Sequence, residues 1–162
     1  MKHIWAPWRK KYVGARKKPK GCLFCRIERG PSRRDAGNLL LRRSRHSFLM
    51  LNLYPYTNGH LMLVPRRHLP TLEGLKKDER LDLLDLLDRA LAALRKAFHP
   101  QGFNIGLNVG KAGGAGIPDH AHIHIVPRWL GDTNFMPLLA EVKVIPDTLS
   151  NTHRTLTRFL KG

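Results

Sequence analysis

The 162-residue chain lacks several features that define whole classes of protein. It has only two cysteines, Cys22 and Cys25, which excludes a scaffold held by several disulfides. No apolar run approaches the roughly 20 residues that a transmembrane helix needs, and the first residues lack the apolar region of a signal peptide. No internal repeat is present. These absences lead us to expect a cytoplasmic protein with no membrane partner, folded as one domain around a buried core.

Acidic residues are few as well. Twelve Asp and Glu stand against 29 Lys and Arg, which gives a formal net charge of +17. Many of the basic residues lie between Arg9 and Lys20, and no acid precedes Glu28. This balance favours a polyanionic partner, either a polyphosphate nucleotide or a nucleic acid, and the alternative is a generally basic surface with no partner of its own. We interpret residues 1–20 as a solvated basic arm, through which nucleic-acid binding is possible.

The most informative segment lies between Asp119 and Arg128, where histidine alternates with apolar residues: His120, Ala121, His122, Ile123, His124 and Ile125. Successive side chains of a strand point to opposite faces, so the spacing predicts a β-strand with three imidazoles on one face. Three adjacent ionisable rings are unfavourable unless they have a chemical use, and imidazole suits nucleophilic, acid–base and metal chemistry near neutral pH. The alternatives are a solvated polar face and a three-histidine metal site, although one strand directs three rings poorly toward a single ion.

Two other segments predict the framework of the fold. The apolar runs Ser47–Asn52 and His60–Pro65 flank a turn-forming segment and predict an antiparallel pair. Apolar residues at intervals of three and four predict an amphipathic helix from about Lys77 to Phe98, which ends before Pro100. The expected core positions of this helix are Leu83, Leu84, Leu87, Leu91, Leu94 and Phe98.

The second half of the chain continues this pattern. Gly102–Asn108 alternates like a strand, and a short helix is expected from about Asp147 to Leu160. Between them, the loop 110–118 is rich in glycine, which permits positive φ and close approach of backbone N–H groups to an anion. Next to three histidines, Gly114 and Gly116 are candidate phosphate-binding positions. The order of elements predicts an α+β fold with a largely antiparallel sheet and one main amphipathic helix.

The histidine pattern, read as His120-Ala-His122-Ile-His124-Ile-Val, resembles the signature of the histidine triad (HIT) superfamily of nucleotide hydrolases and transferases. Flanking segments are similar to a bacterial branch that includes diadenosine tetraphosphate phosphorylases; they are Trp5–Arg9, Gly21–Cys25, Gly102–Asn108 and Pro127–Met136. The resemblance implies the same α+β fold, assembled as a homodimer with a continuous sheet. It divides the chain into the arm (1–20), a HIT core (21–130) and a C-terminal extension packed on the same domain (131–162).

The same resemblance implies roles for individual side chains. His122 would attack the α-phosphorus and form a covalent nucleotidyl-histidine, while His124 would bond the phosphate and assist the leaving group. His60 would lie near the same phosphates. Asn52 matches the position that bonds the ribose hydroxyls, and Asn108 a position near the scissile phosphate; the alternative for both is an ordinary turn or edge-strand role.

The two cysteines form a second candidate site. Alone, Cys22-Leu-Phe-Cys25 could be a redox pair, a disulfide or two buried thiols. The resemblance implies a structural zinc held by Cys22, Cys25, His68 and His120, which leaves His122 free to react. The resemblance to the bacterial branch implies phosphorolysis of a dinucleoside polyphosphate, with inorganic phosphate as acceptor. The alternatives are a nucleotide hydrolase or nucleoside phosphoramidase of the same fold, and a nucleic-acid-binding or deadenylating protein.

Overall fold

The computed structural model describes residues 21–132 and 145–160. The basic arm, the Trp5–Arg9 segment and the first part of the C-terminal extension after Asp132 lie outside these ranges. The elements in chain order are α1 (Leu23–Glu28), a 3-10 turn (Ser32–Arg34), β1 (Leu40–Arg43), β2 (Ser47–Leu51), β3 (Leu61–Pro65), α2 (Lys77–Phe98), β4 (Gly102–Leu107), β5 (Ile123–Arg128) and α3 (Leu149–Leu160). None of the helices in the described part of the chain is long and apolar enough to cross a membrane.

The strands form one five-stranded sheet in the order β1-β2-β3-β5-β4, and every neighbouring pair is antiparallel. The predicted α+β class with one main helix is confirmed. Three elements were not predicted: α1, which contains Cys25 and begins directly after Cys22, the 3-10 turn and β1. The register of β1 shifts between Leu40 and Arg42, so this irregular edge strand lacks the alternation by which a strand is read from sequence.

The sheet buries side chains on both of its faces. On one face, Leu49, Leu51, Leu61 and Leu63 join the core formed with α2 and α3. On the other face, Phe48, Met50, Met62 and Val64 pack with Phe24 and Ile27 of α1. Burial on both faces explains why β2 and β3 read as continuous apolar runs. The second, smaller core supports the functional groups described below.

The long helix has the predicted bounds, and its start is fixed by Glu79, whose carboxylate accepts the backbone N–H of Lys76 at 2.7 Å. Leu83 and Leu94 are buried as expected, but the core assignment of Leu84 is wrong, because its side chain is 55% exposed. The buried face instead includes Leu86. At about 100° per residue, Leu84 lies about 130° from the centre of the face defined by Leu83 and Leu86, so it is directed away from the sheet.

The strand predicted for the three histidines is shorter than expected. It begins at Ile123, so His120 and His122 precede it. Pairing with β3 ends at Leu63↔Ile123, because Pro65 has no N–H to continue the ladder. The N–H of Ala121 donates to the carbonyl of Leu69 at 2.7 Å instead. The interleaved Ala121, Ile123 and Ile125 are buried in the core, as the alternation predicted.

The last helix begins at Leu149, two residues later than expected, because Asp147 and Thr148 form its start. The Thr148 hydroxyl accepts the N–H of Asn151 at 3.2 Å, and the Asp147 carboxylate accepts the N–H of Thr148 at 2.7 Å. The helix packs on α2 and β1.

Candidate active site and metal centre

A hydrogen bond to a backbone carbonyl fixes the tautomer of His122. Its Nδ1 lies 2.9 Å from the carbonyl oxygen of His120, which can only accept, so Nδ1 carries the proton and Nε2 keeps a lone pair. The ring is 4% exposed, and burial lowers the pKa of His122 against the opposing effect of this hydrogen bond. Neutral His122 therefore offers Nε2 as a nucleophile.

Two hydrogen bonds in series give His124 the opposite tautomer, with its proton on Nε2. The backbone N–H of Tyr56 donates to Nδ1 of His60 at 3.0 Å, so the proton of neutral His60 is on Nε2. That Nε2 lies 2.9 Å from Nδ1 of His124, which must then accept. The remaining proton of His124 is on its own Nε2, as a donor. Ring centroids of His122 and His124 are 4.9 Å apart, so a nucleophile and a proton donor stand side by side.

The sequence predicts His60 beside the phosphates, and the structure places it one layer behind. His60 is 0% exposed and is not among the described residues that line the cavity, whereas His122 and His124 are. The ring of Tyr56 stacks on it with centroids 4.9 Å apart. His60 is thus positioned to act through His124, and direct contact with substrate stays a prediction.

Both histidines open into a cavity of about 730 Å³. Its polar and glycine lining includes Asn52, Asn108, Gly114 and Gly116. Its apolar lining includes Leu23, Phe24, Ile27, Leu39, Met50, Met62 and Ile117. None of the described lining residues is Lys, Arg, Asp or Glu. An anion beside the histidines would therefore meet no charged side chain among these residues, and the basic surface would act at longer range.

The four remaining predicted substrate residues all reach this cavity, although their contacts with substrate stay predictions. Asn52 Oδ1 accepts the N–H of Tyr54 at 2.9 Å, an Asx turn that orients the carboxamide. Gly114 has a φ of +79°, which favours glycine. Its N–H donates to the carbonyl of Lys111 at 3.0 Å, so this amide is engaged within the loop. A Cβ on the neighbouring Gly113 would lie 2.4 Å from the Val109 carbonyl oxygen, so the loop requires glycine there too.

The predicted metal ligands come together as one cluster. The ligand atoms of Cys22, Cys25, His68 and His120 lie within 4.8 Å of one another. His120 Nδ1 is 3.2 Å from Cys22 Sγ and 3.3 Å from His68 Nδ1, and Cys25 Sγ is 3.3 Å from His68 Nδ1. Tetrahedral zinc with bonds of about 2.0–2.3 Å separates its ligand atoms by about 3.3–3.8 Å, close to this spacing.

His120 is prepared for coordination by its other nitrogen. Nε2 lies 2.8 Å from the carbonyl of Pro65 and donates to it, so Nδ1 presents its lone pair to the cluster. Burial lowers the pKa of His120, which favours the neutral, ligating ring. Burial, followed by Cys22, raises the pKa of Cys25, and a bound cation would oppose that rise by stabilising both thiolates. The donor set fits a divalent metal.

The two clusters are joined through His120 and Phe24. The carbonyl of His120 orients His122 while its imidazole belongs to the metal cluster. Phe24 lies between the two cysteines in the sequence, and its side chain is fully buried. Its ring contacts those of His120 and His122 at centroid distances of 5.3 and 5.0 Å. Sequence reasoning missed Phe24 and the Tyr56 N–H. An apolar residue inside a Cys-x-x-Cys motif is the signal for the first, whereas a backbone donor leaves no signal in sequence.

Comparison with known proteins agrees with this geometry. The HIT domain family matches residues 34–129. An AP-4-A phosphorylase of Mycobacterium tuberculosis is 35% identical over 96% of this chain and 83% of its own length. A bis(5'-nucleosyl)-tetraphosphatase (asymmetrical) of Schizosaccharomyces pombe is 32% identical over 62% of this chain and 55% of its own.

A solved structure has a similar fold. The zinc-bound histidine triad family protein of Mycobacterium smegmatis superimposes with a TM-score of 0.67 at 26% identity, covering 86% of this chain and 93% of its own. Similarity therefore extends over nearly the whole described chain and includes a protein described as zinc-bound.

Proposed function

The chain belongs to the HIT domain family, and on that basis we propose that it cleaves dinucleoside polyphosphates such as diadenosine tetraphosphate, with inorganic phosphate as acceptor. The observation that carries the proposal is the pair of opposite tautomers, with a nucleophilic Nε2 on His122 and a protonated Nε2 on His124. The 35% identity to an AP-4-A phosphorylase over 96% of the chain supports the choice of substrate.

The first chemical step follows from the tautomers. His122 Nε2 donates its lone pair to the α-phosphorus, forming an N–P bond as the bond to the polyphosphate oxygen breaks. That oxygen leaves with the electron pair, and His124 Nε2–H donates a proton to it. The hydrogen bond from Nδ1–H to the His120 carbonyl stabilises the charge that develops on the His122 ring.

The second step regenerates the enzyme. An oxygen of hydrogen phosphate attacks the phosphorus and its proton passes to Nε2 of His124, while the N–P bond breaks and its electron pair returns to Nε2 of His122. Diadenosine tetraphosphate would thus yield ATP and ADP. Water in place of phosphate would yield ATP and AMP, which is the outcome expected of the hydrolase alternative.

The cavity suits a nucleotidyl group as the transferred group. Its apolar lining can enclose a base. Asn52, whose amide nitrogen is 3.5 Å from the His60 ring, is close to the histidines, where a ribose would connect base and phosphate. We assign Asn108, Gly114 and Gly116 to the phosphate side.

We further propose that Cys22, Cys25, His68 and His120 hold a zinc ion. Zinc would supply a fixed tetrahedral cross-link between α1, the segment after β3 and the segment before β5. Because the carbonyl of His120 accepts a hydrogen bond from Nδ1 of His122, a fixed position of His120 would also fix the orientation of the His122 ring.

We also propose a cytoplasmic homodimer joined at the free edge of β4. That strand ends the sheet and exposes Ile105 by 45% and Val109, which follows the strand, by 49%. An apolar sheet edge of this kind is normally covered, and pairing with a second copy would continue the sheet.

Nucleic-acid binding by residues 1–20 stays a prediction, checked by the salt dependence of polynucleotide affinity with and without them.

The experiment is product analysis by mass spectrometry. Incubation with diadenosine tetraphosphate should give ATP and ADP only when inorganic phosphate is present. Without phosphate, denatured wild-type protein should carry one adenylyl group on His122, and His122→Asn should carry none. Asn151→Leu, an exposed change on α3, serves as the control. Adenylylation or turnover by His122→Asn would overturn the nucleophile assignment, and phosphate-independent AMP would overturn the acceptor.

A further inference from the structure

The turn before β1 has a strained backbone and faces the cavity. Leu39 has a φ of +59°, a left-handed conformation unfavourable for a branched side chain, and it lines the cavity together with Gly37 and Asn38. Its conformation is held by hydrogen bonds on either side: Leu40 N–H donates to Asp35 O at 2.8 Å, and Leu51 N–H donates to Leu39 O at 2.9 Å. Strained residues held in this way cluster at ligand sites.

Arg43 fixes the same turn to the end of α1. Its guanidinium makes two bonds to the Asp35 carboxylate, at 3.0 and 2.7 Å, and a third to the carbonyl of Glu28 at 2.6 Å. The turn and the apolar wall formed by Phe24 and Ile27 are therefore parts of one rigid unit. A side chain that projects from this turn has a defined position relative to the cavity.

Asn38 is that side chain, and it stands at the end of the cavity away from the histidines. Cross-strand partners lead from His124 to Met62, then to Met50, then to Leu40, two residues after Asn38. Neighbouring strands are about 4.8 Å apart, so Met50 lies about 10 Å from His124, and Asn38 lies beyond it. Asn38 is half-buried, and no described residue exchanges a hydrogen bond with its carboxamide.

We propose that Asn38 recognises the edge of the nucleotide base and makes the site selective for adenine; this rests on the proposed function, which supplies the nucleotide. A carboxamide presents one acceptor beside one donor. Adenine presents the complement on either edge, because its N6 amine lies beside N1 on one side and N7 on the other. Guanine matches at O6 and N1–H only, since O6 and N7 both accept.

The test is the affinity of AMP and GMP, measured by calorimetry on the full-length protein and therefore independent of turnover. The wild type should bind AMP more tightly than GMP, because adenine offers the matching donor–acceptor pair on two edges and guanine on one. Asn38→Leu, similar in size and without polar atoms, should weaken AMP binding at least about fivefold and remove the preference. Asn38→Asp, which only accepts, should invert it, because guanine N1–H and its N2 amine both donate.

Two controls separate base recognition from folding. Asn38→Gln keeps the amide and should retain a preference for AMP, and Asn151→Leu should bind as the wild type does. Thermal unfolding identifies any variant that fails to fold, and the inversion by Asn38→Asp is a result that general destabilisation cannot produce. An AMP-to-GMP ratio unchanged in both Asn38→Leu and Asn38→Asp would overturn the inference, as would a wild type that binds neither nucleotide. If diadenosine tetraphosphate is not cleaved while AMP selectivity depends on Asn38, the reaction fails and the inference stands.

Discussion

Replacing His60 by phenylalanine should slow proton donation by His124 while leaving the nucleophile intact. Phenylalanine keeps an aromatic ring against Tyr56 but removes the hydrogen bond accepted from the Tyr56 N–H at 3.0 Å and the one donated to His124 Nδ1 at 2.9 Å. His124 then loses the partner that places its proton on Nε2.

The magnitude follows from that second bond. A buried hydrogen bond contributes about 0.5–1.5 kcal/mol net, so its loss allows the inactive tautomer of His124 to gain up to about tenfold in relative population. Loss of ring orientation adds to this. We expect a kcat lower by about 10- to 100-fold, less than the full roughly 10²–10⁴-fold that a general acid contributes, because His124 itself is retained. The free energy of unfolding should fall by about 1–3 kcal/mol, because buried partners are left unpaired.

The assay compares two AMP esters of similar shape, the phenyl ester, whose leaving group needs a proton, and the 4-nitrophenyl ester, whose leaving group does not. His60→Phe should slow the phenyl ester and spare the nitrophenyl ester. His60→Gln is the matched control, because its amide can accept from Tyr56 and donate to His124. Nitrogen NMR of the imidazoles should show His124 protonated on Nε2 in the wild type and mixed in His60→Phe. Equal slowing of both esters, or wild-type tautomers in His60→Phe, would refute this account.

Three further outcomes are expected. Cys22→Ser should lower zinc affinity more than about tenfold and lower the thermal stability with it, read by native mass spectrometry and calorimetry; one tightly held zinc per variant chain would contradict the ligand set. Glu79→Gln should destabilise the protein by up to about 1 kcal/mol at neutral pH, because Gln keeps an oxygen for the Lys76 N–H but loses the charge paired with Arg67. Hydrogen bonding, first from Arg67, lowers the pKa of Glu79 to about 2, so the stability that the Glu79 charge contributes is present above pH 4.5 and is lost as pH falls from 4.5 toward 2. The unfolding free energies of wild type and Glu79→Gln, measured by urea titration, should converge near pH 2. A pH-independent difference would show that the charge is irrelevant. Leu86→Ala should cost about 2–5 kcal/mol and Leu84→Ala under about 0.5 kcal/mol in urea unfolding, and equal losses would place the buried face of α2 wrongly.

The elements that the sequence predicted well are those whose side-chain spacing reports burial directly. The 22-residue helix from Lys77 to Phe98 has the approximate bounds that the sequence predicts, because its leucines follow one periodicity and His99-Pro100 ends it. The same reasoning failed at Leu84, since the intervals of three and four include this residue, whereas packing on the sheet decides which face of α2 is buried. The irregular strand at Leu40 was missed because it carries no alternation.

In the candidate site, the sequence predicted the identity of the residues, and the structure shows the hydrogen bonds that orient them. Resemblance of the motifs named the cysteines and histidines, because chemistry restricts which residue types can ligate a metal or attack phosphorus. Which histidine acts as nucleophile, proton donor or metal ligand depends on hydrogen bonds to backbone groups that any residue possesses. These groups are the carbonyls of His120 and Pro65 and the N–H of Tyr56.

The sequence by itself determined the α+β class, the long helix and the identity of the histidine and cysteine residues, because hydropathy and side-chain chemistry are local properties of the chain. Only the tertiary structure decided which nitrogen of each ring bears a proton, since that depends on partners up to 64 positions away, as between His60 and His124. It also decided that His60 stands behind His124 and that Asn38 meets the cavity opposite the histidines. These placements arise from strand register and from the packing of α1 on the sheet, which join segments distant in sequence.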